Sequence, residues 1–258
     1  MNWFFTFYYD ELPADTGFRL YGFAHLLFLA VIALCVGAVC FAYRRARPEK
    51  QPLFRRTVAC ICLALELGMQ IFLLLSLPIY PVTQLPLHLC GLGIFIMAAD
   101  AFLPRHSQTV REILYSLSMP GAAAALLFPD WTVYPILNFF SLQCFMIHGI
   151  LLCYPLMLLC CGQLRPDWRN LWRSVLFIAL IAGPLHIFNR RFGTNFLYLN
   201  AAAPGSPLTL LASHPGARAY YIGYVVLVIA VWLGLYAPFI ILHSILHSRQ
   251  SVVRRRKA

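Results

Sequence analysis

The sequence predicts an all-α membrane protein, a bundle of seven transmembrane helices with its N-terminus outside and its C-terminus in the cytoplasm. Residues of the AVILMFWYC set make up 61% of the 258 residues, and charged residues only 11%, whereas soluble domains are about 25% charged. The mean hydropathy is +0.73. The apolar residues form seven segments, most of them long enough to cross the ~30 Å hydrocarbon layer as helices.

The seven predicted spans follow one another along the chain. They cover residues 20–43, 57–77, 85–103, 113–128, 139–161, 172–192 and 220–242. The fourth span is the weakest, because it is short and broken at Pro120-Gly121. If this segment were re-entrant, the orientation of every span after it would be inverted.

The basic residues support seven spans. In this topology, 16 of the 20 lysine and arginine residues fall in inside loops or in the C-terminal tail, as the positive-inside rule requires. Topology and anionic lipid therefore explain the net charge of +11, and no nucleic-acid partner is expected. We predict one polytopic domain in the cell membrane, over residues 1–258. It comprises an outer interfacial segment 1–19, the bundle 20–242 and a basic cytoplasmic tail 243–258.

The nine cysteines lie inside apolar segments and are typical of small buried apolar residues. Neither Cys60-Ile-Cys62 nor Cys160-Cys161 has a second ligand pair at zinc spacing. We therefore predict no metal site and no cofactor.

His88 is the first candidate for function. It lies four residues after Gln84, so a helix would place both side chains on one face, just inside the outer membrane boundary. An ionisable side chain at this depth costs a few kcal/mol unless it faces protein or water. A core histidine bonded to a neighbouring helix is the equally supported alternative.

Other polar residues fall in the outer halves of neighbouring spans, while the inner halves are almost purely apolar. This pattern predicts a polar cavity that opens outward. His88 and His148 are expected to face each other across it as catalytic residues. The candidate substrate-binding residues are Glu66 and Gln70 beneath them, Gln84, Asn138, and Asn189, Arg190 and Asn195 at the rim. As alternatives, Glu66 would only cross-link helices, and Arg190 would only extend to the membrane interface.

Two thiols are weaker catalytic candidates. In a helix, Cys90 would lie about 200° around the axis from His88, so that histidine is poorly placed to activate it. Cys144 shares a face with His148 and is better placed. We expect neither thiol to be essential.

Four motifs carry a resemblance that covers the chain from the first span to the seventh. They are Leu85-Pro-Leu-His-Leu-Cys90, Leu126-Leu-Phe-Pro-Asp130 after a Pro-Gly, Phe139-Phe140 with Ile147-His148-Gly149, and Asn189 followed by Gly193-Thr-Asn-Phe-Leu-Tyr-Leu199 and Pro204. In these the chain resembles the YwaF-like family of integral membrane proteins. The resemblance implies a seven-helix fold shared with the eukaryotic transmembrane protein 164 branch. That branch transfers fatty acyl chains onto lysophosphatidylethanolamine, and it has a distant likeness to membrane-embedded hydrolases of fatty acid esters.

This sequence departs from that branch at one position. The proposed cysteine nucleophile of the branch stands directly before the motif histidine, where this chain has Leu87. The resemblance therefore implies an acyltransferase or lipid hydrolase acting on membrane phospholipids without that thiol. Three routes are then open. Cys90 or Cys144 would replace the missing nucleophile, or, without a covalent enzyme intermediate, His88 or His148 would act as general base on an acceptor hydroxyl while Asn189 or Arg190 stabilises the oxyanion. A small-solute transporter or binding protein and a non-catalytic assembly protein are the alternatives.

Overall fold

The computed structural model describes residues 3–8, 11–12, 15–104, 107–203, 205–212 and 217–255, with side chains described for all of these except 212, 217–218 and 242–255. Parts of the predicted segment 1–19 and of the basic tail 243–258 lie outside these residues. In chain order the helices are α1 Phe23–Arg45, α2 Gln51–Ser76, α3 Leu89–Phe102, α4 Gln108–Ile113, α5 Met119–Leu127, α6 Phe139–Cys160, α7 Leu171–Phe192, α8 Leu208–Ala212 and α9 Ala217–Arg255.

The all-helical prediction is confirmed, because the described residues contain helices and loops and no strand. Five helical stretches are long and apolar enough to span a membrane. They are Phe23–Arg45, Pro48–Ser76, Phe139–Cys160, Trp168–Phe192 and Ala219–Ile241. The third predicted span is a shorter apolar helix, α3, of 14 residues. The count of seven spans and the sides of the two termini remain predictions.

The fourth predicted span is not broken at Pro120-Gly121. The backbone stays helical from α4 through α5, and its irregular part is the π-helical turn Leu114–Ser118. Proline has no amide N–H, so the carbonyl four residues earlier, Ser116 O, loses its helical donor. The indole N–H of Trp232, from α9, donates to Ser116 O at 2.8 Å and replaces that donor. The break was predicted from local sequence. In the fold, a neighbouring helix supplies the hydrogen-bond donor that Pro120 lacks.

Helix α6 is the centre of the bundle. In its apolar stretch 61% of the residues are buried, against 6% in α1, 11% in α7 and 6% in α9. It packs against α1, α2, α3 and α5. The outer helices leave large apolar side chains exposed. Such surfaces are typical of helices that face lipid.

The main helices alternate in direction and so define two ends of the bundle. We call one the Asp130 end, where α2, α5 and α7 finish and α3, α6 and α9 begin. The opposite end is the Arg55 end, where the loops after α1, α3 and α6 lie. In the predicted topology, the Asp130 end faces outside.

A buried network of charged residues lies at the Arg55 end. Arg111 Nε forms an ion pair with Asp100 Oδ1 at 2.8 Å, and both side chains are almost fully buried. Tyr154 donates to the other oxygen of Asp100 at 2.9 Å. Arg111 Nη1 donates to Gln163 O at 2.7 Å, and Arg55 Nη1 donates to Gln163 Oε1 at 3.0 Å. The inner halves of the spans are therefore not almost purely apolar, and that part of the sequence interpretation was wrong.

Candidate functional site

The chain before α3 is not helical, so Gln84 and His88 do not share a helical face as predicted. Gln84 ends a short 3₁₀ turn, and His88 is the extended N-cap residue of α3, with φ −68° and ψ 162°. This segment folds closely over the first turn of α3. A Cβ atom on Gly91 would lie 2.4 Å from the carbonyl oxygen of Pro86. Only glycine therefore fits at position 91 of the motif.

His88 lies against two aromatic rings from the loop after α7. Its ring centroid is 5.0 Å from that of Phe196 and 5.3 Å from that of Tyr198. The hydroxyl of Tyr198 donates to Asp130 Oδ2 at 2.6 Å. His88 is close enough to both Asp130 and His148 for their charges to act on it. That the two histidines face each other across an open cavity remains a prediction.

Residues 193–199, which we call the Tyr198 turn, have an unusual backbone. Gly193 ends α7 in the left-handed region with φ 65°, where glycine is favoured. Leu197 and Tyr198 also have positive φ values, 58° and 52°. Such conformations are unfavourable for residues with side chains, and they persist only where surrounding contacts hold them.

Three side chains supply those contacts. Asn189 accepts hydrogen bonds from Thr194 Oγ1 at 2.8 Å and from the Phe196 N–H at 2.9 Å, and it donates to Phe196 O at 2.9 Å. From α9, Tyr220 donates to Tyr198 O at 2.6 Å, and Tyr224 donates to Leu197 O at 3.1 Å. The turn is therefore held in the shape that places Phe196 and Tyr198 against His88.

Several residues that were predicted to bind substrate make structural hydrogen bonds instead. The amide of Asn189 is buried, and both its oxygen and its nitrogen bond to the Tyr198 turn. Asn195 accepts from the N–H groups of Asn200 and Ala201 and donates to Ala201 O. Asn138 caps α6 through the Phe140 N–H and donates to Trp3 O and Thr6 O. Their amides hold loops and helix ends in place.

Arg190 was also predicted to lie at the cavity rim. It lies in the last turn of α7 and is exposed. No contact in the described part of the chain connects it to His88 or His148. The structure does not bring it into the site, and extension to the membrane interface remains the simpler interpretation.

Asn189→Ala tests the role of Asn189 as the residue that holds the Tyr198 turn. The substitution leaves buried groups of the turn unpaired, at about 1–3 kcal/mol for each group. We expect a marked fall in the thermal unfolding temperature in detergent. Asn195→Ala is the control, because water can replace its bonds at a more exposed position. Equal stability of the two variants would contradict this role.

His148 lies in the first half of α6 and has a defined tautomer. Its Nδ1 donates to Cys144 O at 2.7 Å, so in the neutral ring Nε2 carries the lone pair. The ring stacks on Trp131, with centroids 5.3 Å apart and planes at 16°. Asp130, the residue before Trp131, also acts on His148 through its charge. His148 is therefore a positioned base beside the residues that surround His88.

The thiol positions differ from those expected for a regular helix. Cys90 is in the first turn of α3. Because His88 is extended, the predicted angle of 200° between the two side chains does not apply. Cys144 packs against the apolar cluster around Phe18 and Trp131, and His148 bonds its carbonyl, not its thiol. The prediction that Cys144 is better placed than Cys90 assumed a regular helix at both positions. That assumption is correct for Cys144 and His148 in α6, but not for Cys90 and His88.

Glu66 and Gln70 form a polar network beside these residues, as their shared helical face predicted. Gln70 Nε2 donates to Glu66 Oε1 at 2.5 Å and to Gln84 O at 2.9 Å. Tyr80 donates to Gln70 Oε1, and Gln143 donates to Glu66 Oε2 at 3.4 Å. Glu66 is close enough to act on both Cys90 and Cys144 through its charge. Gln84 takes part through its backbone carbonyl, not through its predicted side chain.

We call the residues that meet at the Asp130 end the histidine cluster: His88, Cys90, Asp130, Trp131, Cys144, His148 and Tyr198. Among the described residues, no three His, Cys, Asp or Glu side chains are arranged to hold a metal ion. The cluster therefore offers bases, two thiols and hydrogen-bond donors.

The sequence was compared with known proteins. A family model described as the TMEM164 family matches residues 20–236. The chain belongs to the TMEM164 family. Searches of curated proteins and of solved structures found no match. Together with its apolar helices, TMEM164 family membership makes this chain an integral membrane protein.

In this TMEM164 family member, Leu87 is partly buried. It packs with Leu85 and Leu89 against the apolar cluster of Leu185, Phe196 and Leu197. The residue before the motif histidine thus packs against residues of α7 and the Tyr198 turn.

Three residues of the cluster were not among the predicted site residues: Asp130, Trp131 and Tyr198. Burial, followed by the nearby Asp130 carboxylate, raises the pKa of Tyr198 above its usual value, so the phenol keeps its proton and donates to Asp130. The Nε1–H of Trp131 is buried and has no hydrogen-bond partner among the described residues. The sequence feature that could have indicated Asp130 and Trp131 is the Phe-Pro-Asp-Trp motif at the end of the fourth span. Unpaired buried donors are rare in folded proteins, which makes Trp131 a candidate for binding a ligand.

Proposed function

We propose that this TMEM164 family member is a lipid-modifying membrane enzyme that transfers fatty acyl groups to or from phospholipids at the histidine cluster. The observation that carries the proposal is the meeting of two histidines with Asp130, Trp131 and Tyr198 inside a bundle of apolar helices. Acyl transfer by general-base catalysis uses a base near an oxyanion donor. The cell membrane is the proposed location.

His148 is the proposed general base. Its Nε2 takes the proton from the hydroxyl of an acceptor, such as a lysophospholipid, and the acceptor oxygen attacks the carbonyl carbon of the donor ester. The bond from that carbon to the donor oxygen then breaks, and the departing oxygen receives the proton from His148. One ester is lost and one is formed. With water as acceptor, the same steps give hydrolysis.

Asp130 and Tyr198 support this chemistry from beside His88. The charge of Asp130 acts on both histidines, so it stabilises an imidazolium that forms during proton transfer. Tyr198 fixes the Asp130 carboxylate and covers one side of His88. His88 would hold the acceptor or share the proton.

Trp131 is the proposed oxyanion donor, in place of Asn189 and Arg190. Its indole N–H is a buried donor with no described partner, next to the ring of His148. The amide of Asn189 is already occupied, and Arg190 is exposed.

Trp131→Phe removes the proposed oxyanion donor while keeping an aromatic ring against His148. We expect acyl transfer to fall about 100-fold, a typical effect of losing one oxyanion donor. Because the smaller ring also lowers stability at this buried position, the rate is normalised to folded, inserted protein. Trp232→Phe is the matched control, because its indole N–H binds a helix carbonyl far from the cluster. An unchanged rate in Trp131→Phe would exclude the indole from this role.

Acyl transfer itself is tested with the purified chain in lipid vesicles. The vesicles contain a phospholipid with a labelled acyl chain and lysophosphatidylethanolamine, and mass spectrometry detects labelled diacyl product and free fatty acid. We expect one or both to form only with the active protein. If neither forms with correctly inserted protein, the proposal fails, and uptake of labelled solutes into the same vesicles would examine the transport alternative.

Cys90→Ala and Cys144→Ala distinguish direct transfer from a covalent thioester route. Direct transfer by histidine predicts that both variants keep most of the activity. Cys160→Ala is the control, since that thiol is exposed at the other end of the bundle. Loss of activity in Cys90→Ala alone, with a hydroxylamine-sensitive acyl label on the wild type, would instead establish Cys90 as a nucleophile at the α3 N-terminus.

A further inference from the structure

An open groove lies on the outer surface of the bundle between α4 and the first half of α7. Its volume is about 350 Å³, and it is lined by Thr109, Trp172, Arg173, Leu176, Phe177 and Leu180. This groove is close to the Arg55 end, so it is separate from the histidine cluster at the Asp130 end.

Arg173 gives the groove a charged end. Its Nη1 donates to Thr109 Oγ1 at 2.6 Å, and its guanidinium lies 5.5 Å from the centroid of the Trp172 ring. The other N–H groups of Arg173 have no hydrogen bond to the described residues. Glu112 is near enough to interact with Arg173 by charge, but its carboxylate already accepts from Tyr236 and from the Asp167 N–H. Part of the guanidinium is therefore available for an anion.

The remainder of the groove is apolar and exposed. Leu176 is 49% exposed and Leu180 67% exposed, and Leu180 lies about 10 Å along the helix axis from Arg173. Both belong to the candidate span Trp168–Phe192. Arginine and tryptophan near the start of a span are typical of the membrane interface, and the leucines then extend toward the hydrocarbon.

We propose that this groove binds one phospholipid with an anionic headgroup. The phosphate pairs with the guanidinium of Arg173, and one acyl chain lies along Leu176, Phe177 and Leu180. Arginine can donate two N–H groups to a phosphate. The apolar part of the groove would contact an acyl chain, but it would make no contact with a free phosphate ion. Arg169, one helical turn before Arg173 and exposed, adds positive charge on the same side. This site does not depend on the acyl-transfer chemistry of the histidine cluster.

The test measures the lipid retained by the protein. The chain is placed in bilayer discs with equal amounts of phosphatidylglycerol and phosphatidylcholine, released into detergent, and examined by native mass spectrometry. We expect one phosphatidylglycerol per chain in the wild type. Arg173→Gln should retain about fivefold less, the effect of one arginine near an anionic membrane surface. Excess inorganic phosphate should not displace the lipid.

Arg45→Gln is the matched control. Arg45 is also exposed at the Arg55 end and lies 4.6 Å from the Phe41 ring, but it is outside the groove, so retention should be unchanged. Leu176→Trp fills the groove without changing the charge and should lower retention as Arg173→Gln does. If Arg173→Gln does not fold, Leu176→Trp alone tests whether the groove binds the lipid. Equal losses in Arg45→Gln and Arg173→Gln, or full retention in Leu176→Trp, would overturn the proposal.

Discussion

His88→Ala and His148→Ala should each lower acyl transfer by about 10²–10⁴-fold, the usual contribution of a positioned acid or base. His148 is expected to show the larger loss, because its Nδ1 is fixed by Cys144 O and its Nε2 is therefore the available base. The double variant should be little worse than His148→Ala, since residues that serve one step are not additive. Product formation in lipid vesicles, normalised to inserted protein, gives the measurement.

Two other histidines separate chemistry from structure in this experiment. His186→Ala, in the second half of α7, should leave the rate unchanged. His25 is buried with both ring nitrogens bonded, to the Tyr21 N–H and to Leu126 O, so His25→Ala should lower stability. Independent, multiplying losses from His88→Ala and His148→Ala would contradict a shared site. Full activity in His148→Ala would remove the proposed base.

Apolar patterning predicted most of the helices well. The fifth predicted span, 139–161, differs by one residue from α6, because Asn138 caps its start and the apolar run ends near Cys160. Such boundaries depend on local sequence and on the length of the apolar run. The fourth span was less predictable, because the donor that replaces the missing Pro120 N–H comes from Trp232, more than 100 residues later in the chain.

The site was predicted only in part, for a similar reason. His88 and His148 were found because ionisable residues within apolar segments are rare and usually functional. Residue type does not show whether an amide is free, and Asn189 is occupied by a turn that forms only in the fold. Likewise, the helical angle between His88 and Cys90 failed because the close approach of Pro86 to Gly91 keeps the motif extended. Trp131 became a candidate only when its unpaired N–H was known.

The ion pair at the Arg55 end gives the other large expected effect, and the sequence contained a signal for it. Asp100 lies inside the third apolar segment and Arg111 lies 11 residues later, before the fourth. A charge inside an apolar segment requires a partner, so this pairing was predictable in principle. It was missed because basic residues near the inside loops were interpreted through topology alone.

Arg111→Met and Asp100→Leu should each destabilise the protein by about 3–5 kcal/mol, because either one removes half of a buried ion pair. Arg111→Met also removes one of two side-chain donors to Gln163 O, in the loop after α6, and leaves Gln108 Nε2 as the other. The double variant Asp100→Leu with Arg111→Met should be more stable than either single variant, since it removes both charges of the pair. Thermal and denaturant unfolding in detergent measure the cycle. Arg165→Met, an exposed arginine in the same loop, should change stability by less than about 0.5 kcal/mol. Additive losses in the double variant would show that the two side chains stabilise the bundle independently, and that the 2.8 Å contact contributes nothing.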